Sequence, residues 1–184
     1  MNMKVTETPL NDALIITCDR YGDERGFFME SFNLRDFRNE TGVREEFVQD
    51  NHSKSSKGVL RGLHYQIEMS QGKLVRCISG AVYDVIVDLR KSSSTFGKWF
   101  GVKLSENNLQ LWVPRGFAHG FYTLTDTAEF CYKTTDYYAP EHMRTLMWND
   151  PDLAIDWGND RDPILAKKDQ EGHSFAECEK YEHE

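Results

Sequence analysis

The 184-residue sequence lacks any run of 18 or more apolar residues, and its opening, MNMKVTETPL, lacks the basic and apolar stretches of a secretory signal. We therefore expect a cytoplasmic protein with no membrane partner. Cysteine is also scarce. The four cysteines are 59, 54 and 47 residues apart, a spacing without the close pairs of a zinc site or a redox motif, so we expect all four to be reduced.

Positive charge is in short supply, with 22 Lys and Arg against 30 Asp and Glu, and the formal net charge is −8. Nucleic-acid affinity depends on clustered Lys and Arg, so we expect no nucleic-acid partner. An anionic ligand would need a local pocket of Arg and Lys. Apolar residues make up 39% of the chain, and its length fits one domain over residues 1–184 with a sizeable core.

Short runs rich in β-branched and aromatic residues alternate with turn signals along most of the chain. This pattern predicts a mainly β protein, an antiparallel sandwich or barrel. Ser79-Gly80 and Pro114-Arg115-Gly116 each separate two such runs, and both predict hairpin turns. The runs are GFFMESF, EFVQDN, GVLRGLHYQ, KLVRCI, AVYDVIVDL, FGKWFGVKL, LQLWVP, GFAHGFYTL and AEFCYKTTDYY.

One early helix is predicted over residues 34–41. Asn33 is a suitable N-cap, Leu34 and Phe37 share one face, and Gly42 ends the helix. After Trp157 the periodicity is weak and the chain ends in EKYEHE, which predicts irregular backbone from about residue 158 and a frayed end.

Histidine is the first candidate for proton transfer, because its unperturbed pKa of about 6.5 suits chemistry near neutral pH. His64 and His119 lie in strand-like runs, where a polar ring faces solvent or has a buried partner. Strand alternation places His64 with Gly62 and Gln66, and Arg61 on the other face. A β-bulge at Gly62 would bring Arg61 and His64 into one pocket; without it, Arg61 is an exposed strand residue. The remaining four histidines receive no role: His52, His142, His173 and His183.

Three other runs place a polar residue on one face with apolar neighbours. Such mixed faces fit either the wall of a pocket or an exposed sheet face. The three sets are Lys73 with Val75 and Cys77, Tyr132 with Phe130 and Thr134, and Gln49 with Phe47 and Asn51.

A metal is the obvious alternative for a small β-barrel that carries histidines. PRGFAH fits the Pro-x-Gly-x-x-His element of metal-binding cupins, but Gln66 stands where the partner element would have its second histidine. The remaining set of His64, Glu68 and His119 is too loose for a metal site. We expect no metal and no other cofactor.

Seven motifs in fixed order make the chain similar to the dTDP-4-dehydrorhamnose 3,5-epimerase family, from about residue 4 to Asp169. The resemblance implies a cupin-type jelly-roll barrel, a homodimer and a metal-free 3,5-epimerisation of dTDP-4-dehydro-6-deoxy-D-glucose to dTDP-4-dehydro-L-rhamnose, a step in making dTDP-L-rhamnose. The motifs are GDERGFF at 22–28, FVQDNHS at 47–53, VLRGLHYQ at 59–66, QGKLVR at 71–76, VYDVIVDLR at 82–90, VPRGFAHGF at 113–121 and YKTTDYY at 132–138.

The resemblance also implies residue roles. His64 would be the base that removes the C3 and C5 protons, Asp169 would orient it, and Tyr132 would be the acid on the opposite face of the sugar. Lys73 would lie near the C4 oxygen. The residues that match substrate contacts are Arg61 and Lys168 as basic groups, Phe27 reaching the nucleobase from the partner subunit, and Arg25, Glu30, Gln49, Asp50, Asn51 and His119.

The chemistry itself supports such a site. A hydrogen α to a ketone becomes removable when a cation holds the developing enolate, and a diphosphate requires Arg or Lys contacts even in an acidic protein. Two alternatives stay open: a C3-only or C5-only epimerase of a related sugar, and a cupin that binds a sugar nucleotide without catalysis, which would need neither His64 nor Tyr132.

Three positions depart from the family pattern. Met143 stands in place of a Glu that contacts the nucleotide, Ala166 in place of Ser, and Gly158 in place of Pro, which puts nucleoside affinity in question. Glu141 is a candidate substitute for the missing Glu if its loop shifts. Separately, the aromatic segment GFFMESF predicts strand exchange between two subunits, the alternative being that Phe27, Phe28 and Phe32 fill the barrel of their own chain.

Overall fold

The structure, a computed structural model, describes residues 3–182. Its strands are β1 (Met3–Glu7), β2 (Leu14–Cys18), β3 (Arg20–Asp23), β4 (Gly26–Met29), β5 (Gln49–Ser56), β6 (Leu60–Gln66), β7 (Lys73–Ser79), β8 (Ala81–Asp88), β9 (Trp99–Ser105), β10 (Leu109–Val113), β11 (Phe117–Thr123), β12 (Thr127–Thr134) and β13 (Met143–Thr145). Its helices are α1 (Leu34–Thr41), α2 (Lys167–Gln170) and a short 3-10 helix (Pro140–His142).

Two large antiparallel sheets form the barrel. One has six strands in the order β1-β2-β10-β7-β12-β5, and the other has five in the order β13-β6-β11-β8-β9. From β5 to β8 and again from β9 to β13, successive strands alternate between the two sheets, as in a jelly roll. The predicted mainly β, cupin-type barrel is confirmed.

The main core lies between the two sheets. Val75 and Cys77 on β7 and Leu111 on β10 point inward and pack in the same cluster as Ile86 of β8. Burial of a Val, Leu or Ile side chain in this cluster stabilises the fold by about 1.5–3 kcal/mol. A second cluster covers the outer face of the five-stranded sheet, so β11 is buried along its whole length.

Both predicted turns exist, but neither closes a hairpin. The turn at Gly80 joins β7 to β8, and the turn at Gly116 joins β10 to β11, and in each case the two strands belong to different sheets. A Cβ atom at Gly80 would lie 2.1 Å from the carbonyl oxygen of Thr127, so the turn requires glycine. The sequence signals mark where the chain turns, whereas pairing partners depend on contacts between distant segments.

Helix α1 agrees with the prediction at both ends. The Asn33 side chain accepts hydrogen bonds from the backbone N–H groups of Arg35 and Asp36, and Gly42 has the left-handed conformation of a helix stop. Phe37 is fully buried and packs edge-on against Trp112, with 5.7 Å between the ring centroids. The helix thereby covers part of the outer face of the six-stranded sheet.

The segment after Trp157 is irregular except for α2, as predicted, but its expected fraying is not found up to residue 182. Cys178 and Tyr181 are buried in the outer cluster, since apolar residues spaced without periodicity still pack against β6 and β11. Residues 183 and 184, His183 among them, lie outside the described residues.

The β3–β4 hairpin forms a separate two-stranded sheet with exposed aromatic rings. Phe27 and Phe28 are 59% and 63% exposed, so they do not fill the barrel of their own chain, whereas Phe32 packs against Phe37 and Phe47. Among residues 3–182, no helix is long and apolar enough to cross a membrane. All four cysteines are free: Cys18, Cys77, Cys131 and Cys178.

Candidate active site

A β-bulge on β6 aims two polar side chains into the barrel. His64 pairs with His119 of β11, and Arg61 pairs with Phe121. Two residues of β6 therefore lie opposite the single residue between His119 and Phe121. This confirms the predicted bulge, and both Arg61 and His64 line one cavity.

The bulge depends on two glycines in close contact. Gly62 has a φ of +134°, and a Cβ atom there would lie 2.5 Å from the Cα atom of Gly120. A Cβ atom at Gly120 would in turn lie 2.6 Å from the carbonyl oxygen of Arg61. No other residue type fits either position without moving the backbone.

The cavity has a volume of about 290 Å³ and lies between the two sheets beside α2. It brings together eight of the thirteen residues predicted for the site, from segments distant in sequence. They are Asn51, Arg61, His64, Lys73, His119, Tyr132, Lys168 and Asp169.

His64 and Asp169 form a hydrogen-bonded pair, with 2.5 Å between the imidazole Nε2 and a carboxylate oxygen. A nitrogen that faces a carboxylate carries the proton in the neutral ring, which leaves Nδ1 as the basic atom. Burial lowers the pKa of His64, and the bond to Asp169 opposes that shift. The imidazole is therefore held neutral and oriented, as a general base must be.

Lys73 is a buried cation beside this pair. Its side chain is on the inner face of β7 with Val75 and Cys77, as predicted, and its Nζ lies 3.4 Å from the carbonyl oxygen of His64. Burial lowers the pKa of Lys73 to about 8, and the negative charge of Asp84 opposes the shift. The ammonium group is thus mostly protonated at neutral pH.

Asp84, which the sequence analysis did not single out, lies behind the cavity. Its two carboxylate oxygens are 3.0 and 2.9 Å from Nε2 of His119, and the residue is fully buried on β8. Burial raises the pKa of Asp84, while His119 and Lys73 oppose the shift. A usable signal was present, because Asp84 is an acid between Val82 and Ile86 on the inward face of a strand-like run.

Tyr132 projects from the six-stranded sheet, on the opposite side of the barrel from the strand of His64. Burial raises the pKa of Tyr132, and the positive charge of Arg61 opposes this. Its hydroxyl therefore keeps its proton at neutral pH and can donate it. Arg61 is fixed by a 2.9 Å hydrogen bond from Nε to the hydroxyl of Ser55.

Two more predicted residues lie at the rim. Gln49 donates a hydrogen bond to the side chain of Asn51 and accepts one from the backbone N–H of Tyr138, and both partners line the cavity. Asp50 forms an ion pair with Lys133, 2.9 Å apart, in an adjoining depression.

Arg25, Phe27 and Glu30 do not line the cavity of their own chain. Arg25 is highly exposed and bonded to Asp23 at the tip of the β3–β4 hairpin. The ring of Phe27 lies under the guanidinium of Arg20, with 3.7 Å between the guanidinium carbon and the ring centroid. Within one chain, these three residues are therefore separate from the predicted site residues that line the cavity.

Gln66, at the position where a metal-binding relative would have histidine, forms side-chain hydrogen bonds to three backbone groups. Its amide nitrogen donates to the carbonyl oxygens of Met69 and Tyr137, and its amide oxygen accepts from the N–H of Ala139. Within residues 3–182, no group of three or more His, Cys, Asp or Glu side chains could hold a metal ion. Independence from metals and other cofactors stays a prediction.

Two of the three residues that depart from the family pattern line the cavity. Met143 and Ala166 line the cavity, whereas the largely exposed Glu141 does not. Ala166 is the N-cap of α2 and supplies no side-chain bond. Gly158 has a φ of +60°, which proline, fixed near −65°, cannot adopt.

The chain has known relatives over almost its whole length. The family model for dTDP-4-dehydrorhamnose 3,5-epimerase matches residues 7–177. An enzyme of that name from Pseudomonas aeruginosa is 54% identical over 178 residues, which is 96% of this chain and 98% of the relative. The crystal structure of a Legionella pneumophila dTDP-6-deoxy-D-glucose-3,5-epimerase with dTDP-4-keto-L-rhamnose has a TM-score of 0.97, 46% identity and full coverage of both chains.

A 3'-monoepimerase from Streptomyces bikiniensis, in complex with dTDP-quinovose, shares the same fold. Its TM-score is 0.86 at 33% identity, with 92% of this chain and 86% of that chain covered. The fold therefore occurs with different outcomes at the two sugar carbons.

Proposed function

The chain belongs to the dTDP-4-dehydrorhamnose 3,5-epimerase family, and from this membership we propose that the cavity around His64 is its active site. The protein is an isomerase of dTDP-L-rhamnose biosynthesis. It converts dTDP-4-dehydro-6-deoxy-D-glucose to dTDP-4-dehydro-L-rhamnose by inverting C3 and C5.

One observation carries the assignment of the site: the oriented His64–Asp169 pair faces Tyr132 across a cavity that also contains Lys73. In our proposal, neutral His64 removes the proton at C3 or C5, each of which is α to the C4 ketone. Asp169 keeps the ring in one tautomer and stabilises the imidazolium that forms.

Lys73 stabilises the intermediate. When the proton leaves, negative charge moves to the C4 oxygen, and a buried ammonium group interacts with it far more strongly than one in water. Because Lys73 is fixed before the substrate arrives, little reorganisation accompanies charge development.

Tyr132 completes the inversion. It comes from the opposite sheet to His64, so a sugar bound between the sheets has the base on one face and the phenol on the other. Donation of the phenolic proton to the second face gives the inverted carbon. Arg61 and Lys168 are the basic groups of this cavity that suit the diphosphate.

The test is incubation with dTDP-4-keto-6-deoxyglucose in deuterated water, followed by NMR. Deuterium at both C3 and C5 with inverted product supports the proposal. Deuterium at one carbon only would identify a monoepimerase, as in the Streptomyces bikiniensis relative, and no exchange with retained binding would identify a binding protein.

We further propose a homodimer in which the β3–β4 hairpins are exchanged. The support is indirect: Arg25, Phe27 and Glu30, which the resemblance places at the nucleotide, lie outside the cavity of their own chain, and Phe27 and Phe28 are exposed. A cytoplasmic location stays a prediction.

A further inference from the structure

Helix α2 carries Asp169 but cannot hold it in place alone. It is four residues long, and its N-cap, Ala166, makes no side-chain hydrogen bond. A single uncapped turn is unstable in isolation. Yet Asp169 is 2% exposed and bonded to His64, so the segments on either side of α2 must fix its position.

Backbone bonds fix both ends of the turn. Before α2, Ile164 forms a parallel bridge with Val59, just ahead of β6. After α2, His173 bridges Leu146, just beyond β13. Gly172 allows the close approach, because a Cβ atom there would lie 2.9 Å from the backbone nitrogen of Met147.

Further along, two tyrosines tie the same segment to β6 in both directions. The Tyr181 hydroxyl donates to the carbonyl oxygen of Gln66, 2.5 Å away, and the Tyr65 hydroxyl donates to the carbonyl oxygen of Glu179, 2.8 Å away. Tyr65 directly follows His64. Both tyrosines are at most 5% exposed, and their rings pack edge to face with centroids 6.1 Å apart.

We propose that this reciprocal pair, Tyr65 and Tyr181, positions Asp169 against His64 and is therefore part of what sets the rate of proton removal. Tyr65 is among the residues that line the cavity, whereas Tyr181 is outside it and beyond the residues matched by the family model. The proposal rests on the roles assigned above to His64 and Asp169.

The pair should affect the titration of His64 as well as the rate. The ionisable groups around His64 come from every element at the cavity. Burial lowers the pKa of His64 and Asp169 opposes this, so a displaced Asp169 leaves the pKa lower still. The groups are His52 on β5, Arg61 and Tyr65 on β6, Lys73 on β7, His119 on β11, Tyr132 on β12, Tyr138 beyond β12, and Lys168 and Asp169 on α2.

The test compares Tyr181→Phe with Tyr122→Phe. Both remove one hydroxyl from the same outer cluster, but the Tyr122 hydroxyl bonds to Asp160, which belongs to neither β6 nor α2. In Tyr181→Phe we expect kcat for deuterium exchange to fall by about ten- to a hundredfold, the effect of a misplacement of about 1 Å. The acid limb of its kcat/KM profile should move to lower pH, because the base stays neutral further into acid. Tyr122→Phe should keep the wild-type profile.

Tyr65→Phe provides a second measurement if Tyr181→Phe fails to fold, and it should shift the acid limb in the same direction. An unshifted limb with wild-type kcat in the folded variants would overturn the positioning role. Absence of exchange in the wild-type enzyme would instead overturn the proposed function, so the two failures are distinguishable.

Discussion

His64 and Asp169 are 105 residues apart in the sequence and 2.5 Å apart in the structure. Among the described residues that line the cavity, Asp169 is the only carboxylic acid. In our proposal this pair makes the imidazole a base of fixed orientation, and the first prediction tests that role.

Replacement of the base should stop the reaction at its first step. In His64→Ala, we expect exchange at C3 and C5 to fall by about two to four orders of magnitude, the usual contribution of one general base. Exchange in deuterated water, followed by NMR, gives the rate. His142→Ala, which removes a histidine that does not line the cavity, is the control. An unchanged rate in His64→Ala would remove this residue from the mechanism.

Loss of the acid should separate exchange from inversion. In Tyr132→Phe, His64 and Lys73 are untouched, so we expect proton removal within a factor of about ten of wild type. Reprotonation should then come mainly from His64 on the original face, and deuterium should enter with retained configuration. A normal yield of inverted product would show that Tyr132 only packs in the barrel wall beside Phe130. Loss of exchange as well would give Tyr132 a role beyond proton donation.

Removal of the charge behind Lys73 should change the alkaline side of the pH profile. Asp84 raises the pKa of Lys73 against the lowering effect of burial, which leaves it at about 8. In Asp84→Asn the ammonium should lose its proton at lower pH, so the alkaline limb of kcat/KM should move toward acid. Asp162→Asn, an exposed acid outside the cavity, serves as the control. Equal profiles in the wild type and both variants would refute this coupling.

A cap on α2 should stabilise the protein. The backbone of Ala166 is extended, as an N-cap requires, so the hydroxyl in Ala166→Ser can accept from the N–H of Lys168 or Asp169. We expect the free energy of unfolding to rise by about 0.5–2 kcal/mol in a urea titration. Ala166→Val adds bulk without an acceptor and should bring no such gain. If the Ser and Val variants had equal free energies of unfolding, the missing N-cap would not limit the stability of the protein.

The exposed aromatic hairpin should be covered in solution. We expect sedimentation at micromolar concentration to give a dimer, twice the 21.4 kDa of one chain, because the exposed rings of Phe27 and Phe28 are more apolar area than an isolated hairpin should leave in water. Phe28→Asp should shift the distribution toward monomer, whereas Lys4→Asp, at an exposed polar position of β1, should not. A stable wild-type monomer would reject strand exchange.

Local signals predicted local structure well. Asn33 and Gly42 mark both ends of α1, because the conformation there depends on neighbouring residues. Gly62 predicted the bulge, because its φ of +134° favours glycine. The turns at Gly80 and Gly116 were placed correctly but assigned to hairpins, because strand pairing depends on residues far along the chain.

The site was predicted only in part, because some of its contacts join residues that are far apart in the sequence. The motifs identified the residues of the cavity, but Asp84 was missed because its role depends on His119, 35 residues away, and on burial. The packing of Tyr181 was missed because its segment has no periodicity. Its contacts are with residues of the outer cluster that are distant in the sequence.

Because Asp169 follows His64 by 105 residues, the ribosome synthesises the two members of the pair at different times. At about 5–20 residues per second, roughly 5–20 s pass between the appearance of His64 and that of its carboxylate partner. During that time the barrel strands can form, but the base has no partner. If the proposed roles are correct, chains that stop before α2 would have a base without its positioning carboxylate, and full activity would begin only after α2 has been synthesised.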